Sequence, residues 1–151
     1  MTLLSKDDSA AAIPDFTKAL KEAEGEVLNK LTKAKYHYWL ARAYEAEGDL
    51  KRAMAELSQA KKLAPQMSKT YFWIGQVAFQ TEDNSKAIDN YERSVSLDPG
   101  ENPMAWYFLG IEYKEGSKDK KSNDAFKSFL RYWPSKEDDL AKEANGYLSE
   151  R

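Results

Sequence analysis

The sequence holds no cysteine, one histidine, five prolines and seven glycines in 151 residues. The missing cysteines exclude disulfides, thiol catalysis and thiolate metal sites. The single imidazole, His37, has no partners with which to build a metal site, and it reads as a side chain packed between helices. No metal or cofactor is expected. No apolar run approaches the roughly 18 residues that cross a bilayer, so no transmembrane segment is expected. The start, Met1-Thr2-Leu3-Leu4-Ser5-Lys6-Asp7-Asp8, turns acidic where a secretory leader carries its apolar stretch, which favours a cytoplasmic location. A basic excess is missing too, since the net charge is −2. Phosphate-backbone binders carry a basic patch, so nucleic acid is not expected as a partner.

What is present is a self-repeat of 34 to 35 residues, in register on Pro65, Pro99 and Pro134. One column reads Leu40, Ile74, Leu109, and the next Ala41, Gly75, Gly110. Others read Ala53, Ala87, Ser122 and Leu57, Tyr91, Phe126. Stacked units of this period bury a shared core and present a long open surface, which suits binding better than enclosing a reaction. Charge alternates along the chain, positive over 34–67 and 103–136, negative over 68–102 and 137–151. That alternation favours docking of neighbouring units modestly and is screened by salt.

Glycine and proline fall where helices should end. The pattern predicts helices near 9–23, 26–47, 50–63, 67–81, 84–97, 103–115, 119–132 and 136–150. Gly48-Asp49 and Asp98-Pro99-Gly100 separate helices, and Asn102 before Pro103 is a predicted N-cap. Ser135 with Asp138 resembles a capping box. Pro14 requires its helix to begin near Ala11 or Ala12, or else to kink. Short connections make successive helices antiparallel. The small columns let the two helices of a pair approach, and a helical glycine costs roughly 1 kcal/mol against alanine, so Gly75 and Gly110 require a packing reason.

These columns resemble the tetratricopeptide repeat family. The first unit matches its pattern at His37, Leu40, Ala41, Tyr44, Gly48-Asp49, Ala53, Leu57, Ala60 and Pro65. The second matches at Tyr71, Ile74, Gly75, Ala78, Asp83, Ala87, Tyr91, Ser94 and Asp98-Pro99, and the third at Trp106, Leu109, Gly110, Tyr113, Ser122, Phe126, Phe129 and Pro134. The resemblance implies an all-α solenoid of antiparallel helix pairs, a right-handed superhelix ending in a capping helix. Its expected organisation is a partial repeat over 1–33, mainly one helix, with any preceding helix reduced to Leu3 and Leu4. Units over 34–67, 68–102 and 103–136 follow, then a cap over 137–151, all in one domain. Ser117-Lys118 stands where Gly-Asp would turn the chain, so that loop is expected to be less regular. Phe129, Tyr132 and Trp133 are expected to pack under the last helix. The Phe-Leu-Arg-Tyr-Trp-Pro end resembles bacterial cell-envelope repeat proteins, which keeps a periplasmic or cell-envelope domain of a larger protein open as an alternative.

Nothing in the sequence assembles a nucleophile, a base and an orienter, and the chain does not read as an enzyme. The run from Gly110 to Gly116-Ser117-Lys118 is not a phosphate loop, because its glycine spacing is too long and no strand precedes it. The resemblance implies that the first helix of each pair lines a concave groove. Tyr38, Arg42 and Glu45 share one face by their spacing, with counterparts Phe72, Gln76, Phe79 and Tyr107, Ile111, Lys114. Trp39, Trp73 and Phe108 flank them, and Met104 joins the same surface. The family's carboxylate clamp is not expected, because only Arg42 is cationic at the corresponding positions. If exposed rather than buried by neighbouring helices, these aromatics suit a protein or peptide partner with apolar or aromatic anchors. Two alternatives stand beside that reading. One is homodimerisation through an N-terminal edge at Ile13, Phe16 and Leu20, and the other is a small apolar ligand or lipid in the groove.

Overall fold

The computed structural model describes residues 6–25 and 29–150. Among these the chain forms eight α-helices and no strand: α1 (Lys6–Gly25), α2 (Lys30–Ala46), α3 (Leu50–Leu63), α4 (Ser68–Gln80), α5 (Asn84–Leu97), α6 (Pro103–Glu115), α7 (Asp119–Tyr132) and α8 (Asp139–Ser149). Packing is most extensive within the pairs α2–α3, α4–α5 and α6–α7, and it is looser where one pair meets the next. The helix α1 lies on α2, and α2 also touches α4, so first helices of successive pairs are neighbours. Leu3 and Leu4 lie outside the described residues.

Two helix starts differ from the sequence expectation, those of α2 and α8, and Pro14 lies inside its helix. Among the described residues α1 is helical from Lys6 onward, so it runs through Pro14 instead of starting beside it, which forfeits one backbone bond within the helix. The helix α2 begins at Lys30, where the Asn29 side chain accepts from the Thr32 N–H at 3.0 Å. The helix α8 begins at Asp139, capped by Asp138, which accepts from the Ala141 N–H at 2.9 Å. Ser135 is therefore not its cap. The Asp138 carboxylate also accepts from the Trp133 indole at 2.7 Å, which ties the cap to the preceding loop. Pro103 opens α6 as expected, but the Asn102 amide donates to the Ser68 hydroxyl at 3.4 Å instead of capping.

The three turns within pairs share one geometry. Each places a residue at positive φ, namely Gly48 at 81°, Glu82 at 58° and Ser117 at 55°. The following N–H then donates to a carbonyl five residues back: Asp49 to Tyr44 at 2.9 Å, Asp83 to Ala78 at 2.9 Å, Lys118 to Tyr113 at 2.8 Å. The Ser117-Lys118 loop is thus as regular as the others, a correction to the expectation, because backbone bonds define the turn whatever side chain it carries. Left-handed backbone costs a non-glycine residue about 1–2 kcal/mol, partly offset by the entropy glycine loses on folding. Ser117→Gly and Glu82→Gly are each expected to stabilise the chain by roughly 0.5–1 kcal/mol in urea titrations.

The core explains the small columns. A Cβ on Gly75 would sit 2.6 Å from the Tyr91 ring, and one on Gly110 would sit 2.7 Å from the Phe126 ring. In the first pair, where the ring column holds the smaller Leu57, the glycine column holds Ala41, and both are buried. Ala53, Ala87 and Ser122 are buried at the starts of α3, α5 and α7, and the Ser122 hydroxyl donates to the Gly110 carbonyl at 2.8 Å. At the C-terminal end Phe129 is fully buried between Tyr107 at 5.4 Å and Trp133 at 5.0 Å, and Phe126 stacks on Tyr147 at 4.7 Å. Tyr132 departs from the expected cluster, for its ring is exposed beside Gly100.

Candidate partner-binding face

The first helices α2, α4 and α6 carry the aromatic runs, and adjacent residues on a helix point about 100° apart. Neighbouring members of a run therefore meet different surroundings. Tyr38, Phe72 and Tyr107 are only 5%, 4% and 8% exposed. The Phe72 ring meets Tyr91 at 6.0 Å, and Tyr107 meets Phe126 at 6.0 Å. Trp73 is buried too, beneath the Arg42 guanidinium, which stacks 3.4 Å from its ring centre. These four rings are core, and the expectation that they line an open groove is corrected. For Phe72 and Tyr107 the physical cause is the bulk of α5 and α7, whose rings Tyr91, Phe126 and Phe129 pack against them.

A second set stays at the surface. Trp39 is 39% and Phe79 38% exposed, while Arg42, Gln76, Met104, Phe108 and Ile111 are half-buried. Phe79 and Phe108 lie 5.4 Å apart, which joins α4 to α6 in one apolar patch. Gln76 is committed inward, since its amide oxygen accepts from the Tyr91 hydroxyl at 2.7 Å. Glu45 accepts from the Gln80 amide at 2.8 Å across α2 and α4, and Lys114 pairs with Glu150 at 3.3 Å. On α1, Ile13, Phe16 and Leu20 are all half-buried.

Sequence reasoning missed Leu31, Lys35 and Lys69. The signal was available, since Lys35, Lys69 and Met104 form one column of the repeat. Leu31 is 47% exposed. Lys69 reaches over the rings of Tyr38 at 4.7 Å and Trp39 at 5.9 Å. Lys35 and Lys69 border an open cleft of about 380 Å³ that Leu31, Pro65 and Met67 also line. A cleft of about 400 Å³ elsewhere is lined by Leu50, Met54, Val77 and Thr81, from α3, α4 and the turn that follows α4.

The remaining titratable groups are structural. His37 Nδ1 lies 2.6 Å from the Glu56 carboxylate, joining α2 to α3. Burial, reinforced by Glu115, holds the Glu112 carboxyl above its usual range. Burial pushes the Tyr91 and Tyr113 phenols up, helped respectively by Glu112 and by the hydrogen bond from Tyr113 to Glu92. Among the described residues no group of three or more His, Cys, Asp or Glu is placed to hold a metal ion, and no helix is long and apolar enough to cross a membrane.

Tetratricopeptide repeat profiles match residues 1–68 and 68–101. No curated protein matches the chain. Among solved structures, MamA is 22% identical and superposes with a TM-score of 0.71, covering 95% of this chain and 86% of its own length. A kinesin light chain from Podosopora anserina with nearly identical TPR-like repeats is 12% identical, with a TM-score of 0.72, covering 94% of this chain and 76% of its own. The C-terminal part of a TPR repeat-containing protein from Cytophaga hutchinsonii is 19% identical, with a TM-score of 0.64, covering 91% and 57% respectively. At these identities the likeness establishes a common fold, an all-α solenoid of helix pairs.

Proposed function

The chain belongs to the tetratricopeptide repeat family of protein–protein interaction scaffolds, and on that premise we propose that it binds a partner peptide or helix without catalysing a reaction, on the face formed by α2, α4 and α6. The observation that carries this reading is the pair of large aromatics, Trp39 and Phe79, left at the surface of first helices whose rings Tyr38, Phe72, Trp73 and Tyr107 are buried. The core needs neither side chain to be exposed. Exposed apolar area beside fixed polar groups marks a contact surface, and aromatic anchors dominate such contacts. Phe108 and Ile111 extend the patch along α6, and Met104 borders it.

The test is affinity for short peptides selected from a random display library against the full chain. Trp39→Ala combined with Phe79→Ala is expected to weaken them at least about tenfold, equivalent to roughly 1.4 kcal/mol. The urea midpoint should change little. Peptides that bind the double variant as tightly as the parent chain would refute the assignment of this face.

A further inference from the structure

Resting on that reading, we propose that the occupant is an acidic–apolar peptide segment. Its carboxylate is held by Arg42 and Lys69, and the adjoining aliphatic side chain enters the cleft bordered by Lys35 and Lys69. The argument begins from charge. The ion pairs among the described residues lie elsewhere, and among those residues Lys35, Arg42 and Lys69 have no carboxylate partner. The Arg42 Nε is buried with no acceptor. Three cations on α2 and α4 are thus available to a carboxylate from outside.

Their positions are fixed in advance. Arg42 lies on Trp73 at 3.4 Å, and Lys69 lies over Tyr38 and Trp39. Stacking on a ring restrains a cationic head without cancelling its charge, so less freedom is lost when a carboxylate arrives. Arginine adds a planar fork suited to two parallel bonds with that group. Of the nearby acids, Glu45 accepts from the Gln80 amide, and Glu101, on the cleft rim, accepts from the Ser68 hydroxyl. Toward the other end of the face the one cation, Lys114, is already paired with Glu150. The face is therefore polarised, with its free positive charge on α2 and α4.

The cleft supplies the apolar half of the specificity. Leu31, Pro65 and Met67 line a space of about 380 Å³, and Leu31 is 47% exposed. An aliphatic side chain seated there would cover Leu31 while its neighbouring carboxylate reaches the cations. An acidic residue beside an aliphatic one satisfies both requirements. A basic segment would meet like charge, and a neutral one would leave the cations unpaired.

The experiment uses the same selected peptides, resynthesised and titrated against the full chain. Selection is expected to enrich Asp or Glu next to Leu, Ile, Val or Met. Lys35→Glu with Lys69→Glu, which breaks no ion pair among the described residues, is expected to weaken binding at least about tenfold, and added salt should weaken binding to the parent chain. Lys35→Gln with Lys69→Gln should give a smaller loss in the same direction, and it serves as the test if the charge-reversed chain misfolds. Neutral or basic peptides that lose affinity for the Trp39→Ala/Phe79→Ala variant but not for the lysine variants would overturn the acidic assignment and leave the face in place. Peptides indifferent to both sets of variants would overturn both readings.

Discussion

Replacing Tyr38, Phe72 and Tyr107 together by alanine is expected to unfold the chain. Each ring is more than nine-tenths buried, on α2, α4 and α6 respectively. Truncating a buried aromatic to alanine costs about 3–5 kcal/mol, through lost transfer energy and the cavity left behind. Three such losses sum to roughly 9–15 kcal/mol, the whole stability of an ordinary domain. Far-UV circular dichroism should show the helical signal collapse and the cooperative urea transition disappear. Phe72→Ala alone, in the middle pair and against Tyr91, should leave a folded chain with its stability lowered by about 3 kcal/mol. A triple variant that kept the parental midpoint would show that these rings are not core. The contrast with Trp39→Ala/Phe79→Ala matters for any binding study, because the inner rings hold the solenoid together and their loss would abolish capture indirectly.

The period, the helix pairs and the close-packed glycine column were all legible in the sequence, because each is written in residue size and spacing. Orientation was harder to read. Tyr38, Arg42 and Glu45 do share a face by spacing, yet spacing does not say what lies opposite. The bulk of Tyr91 and Phe126, contributed by α5 and α7, decides that Phe72 and Tyr107 turn inward. Arg42 illustrates the same limit, for its charge suggested a polar anchor and its stacking over Trp73 is a long-range contact between α2 and α4. The turns were obscured differently. Glu82 and Ser117 occupy the backbone conformation that glycine holds at Gly48, and backbone bonds rather than residue type carry the geometry. Lys35 and Lys69 stood in a visible column, but an isolated lysine reads as solvated surface until its lack of a partner is known.

Gly110→Ala should destabilise the chain even though alanine is the better helix former. In an exposed helix the exchange would gain about 1 kcal/mol. Here a new Cβ would lie 2.7 Å from Cε1 and Cζ and 2.8 Å from Cδ1 of Phe126. That ring has little room to retreat, for it is fully buried and stacked on Tyr147 at 4.7 Å. The two backbones are also pinned where the Ser122 hydroxyl donates to the Gly110 carbonyl. Overpacking of this kind costs about 1–3 kcal/mol, so after the propensity gain a net loss of about 1 kcal/mol is expected, lowering the melting temperature by roughly 2–4 °C. Phe126→Leu alone should also destabilise, by leaving a cavity, but in the Gly110→Ala background it should restore much of the loss, because the first pair already combines Ala41 with Leu57. The double-mutant cycle over the four proteins should therefore give a coupling of about 1–2 kcal/mol. Additive costs, or a Gly110→Ala chain more stable than its parent, would mean that helix propensity rather than ring contact governs the column. Gly75 with Tyr91 is the less clean test, because Tyr91→Leu would also remove the hydrogen bond to Gln76.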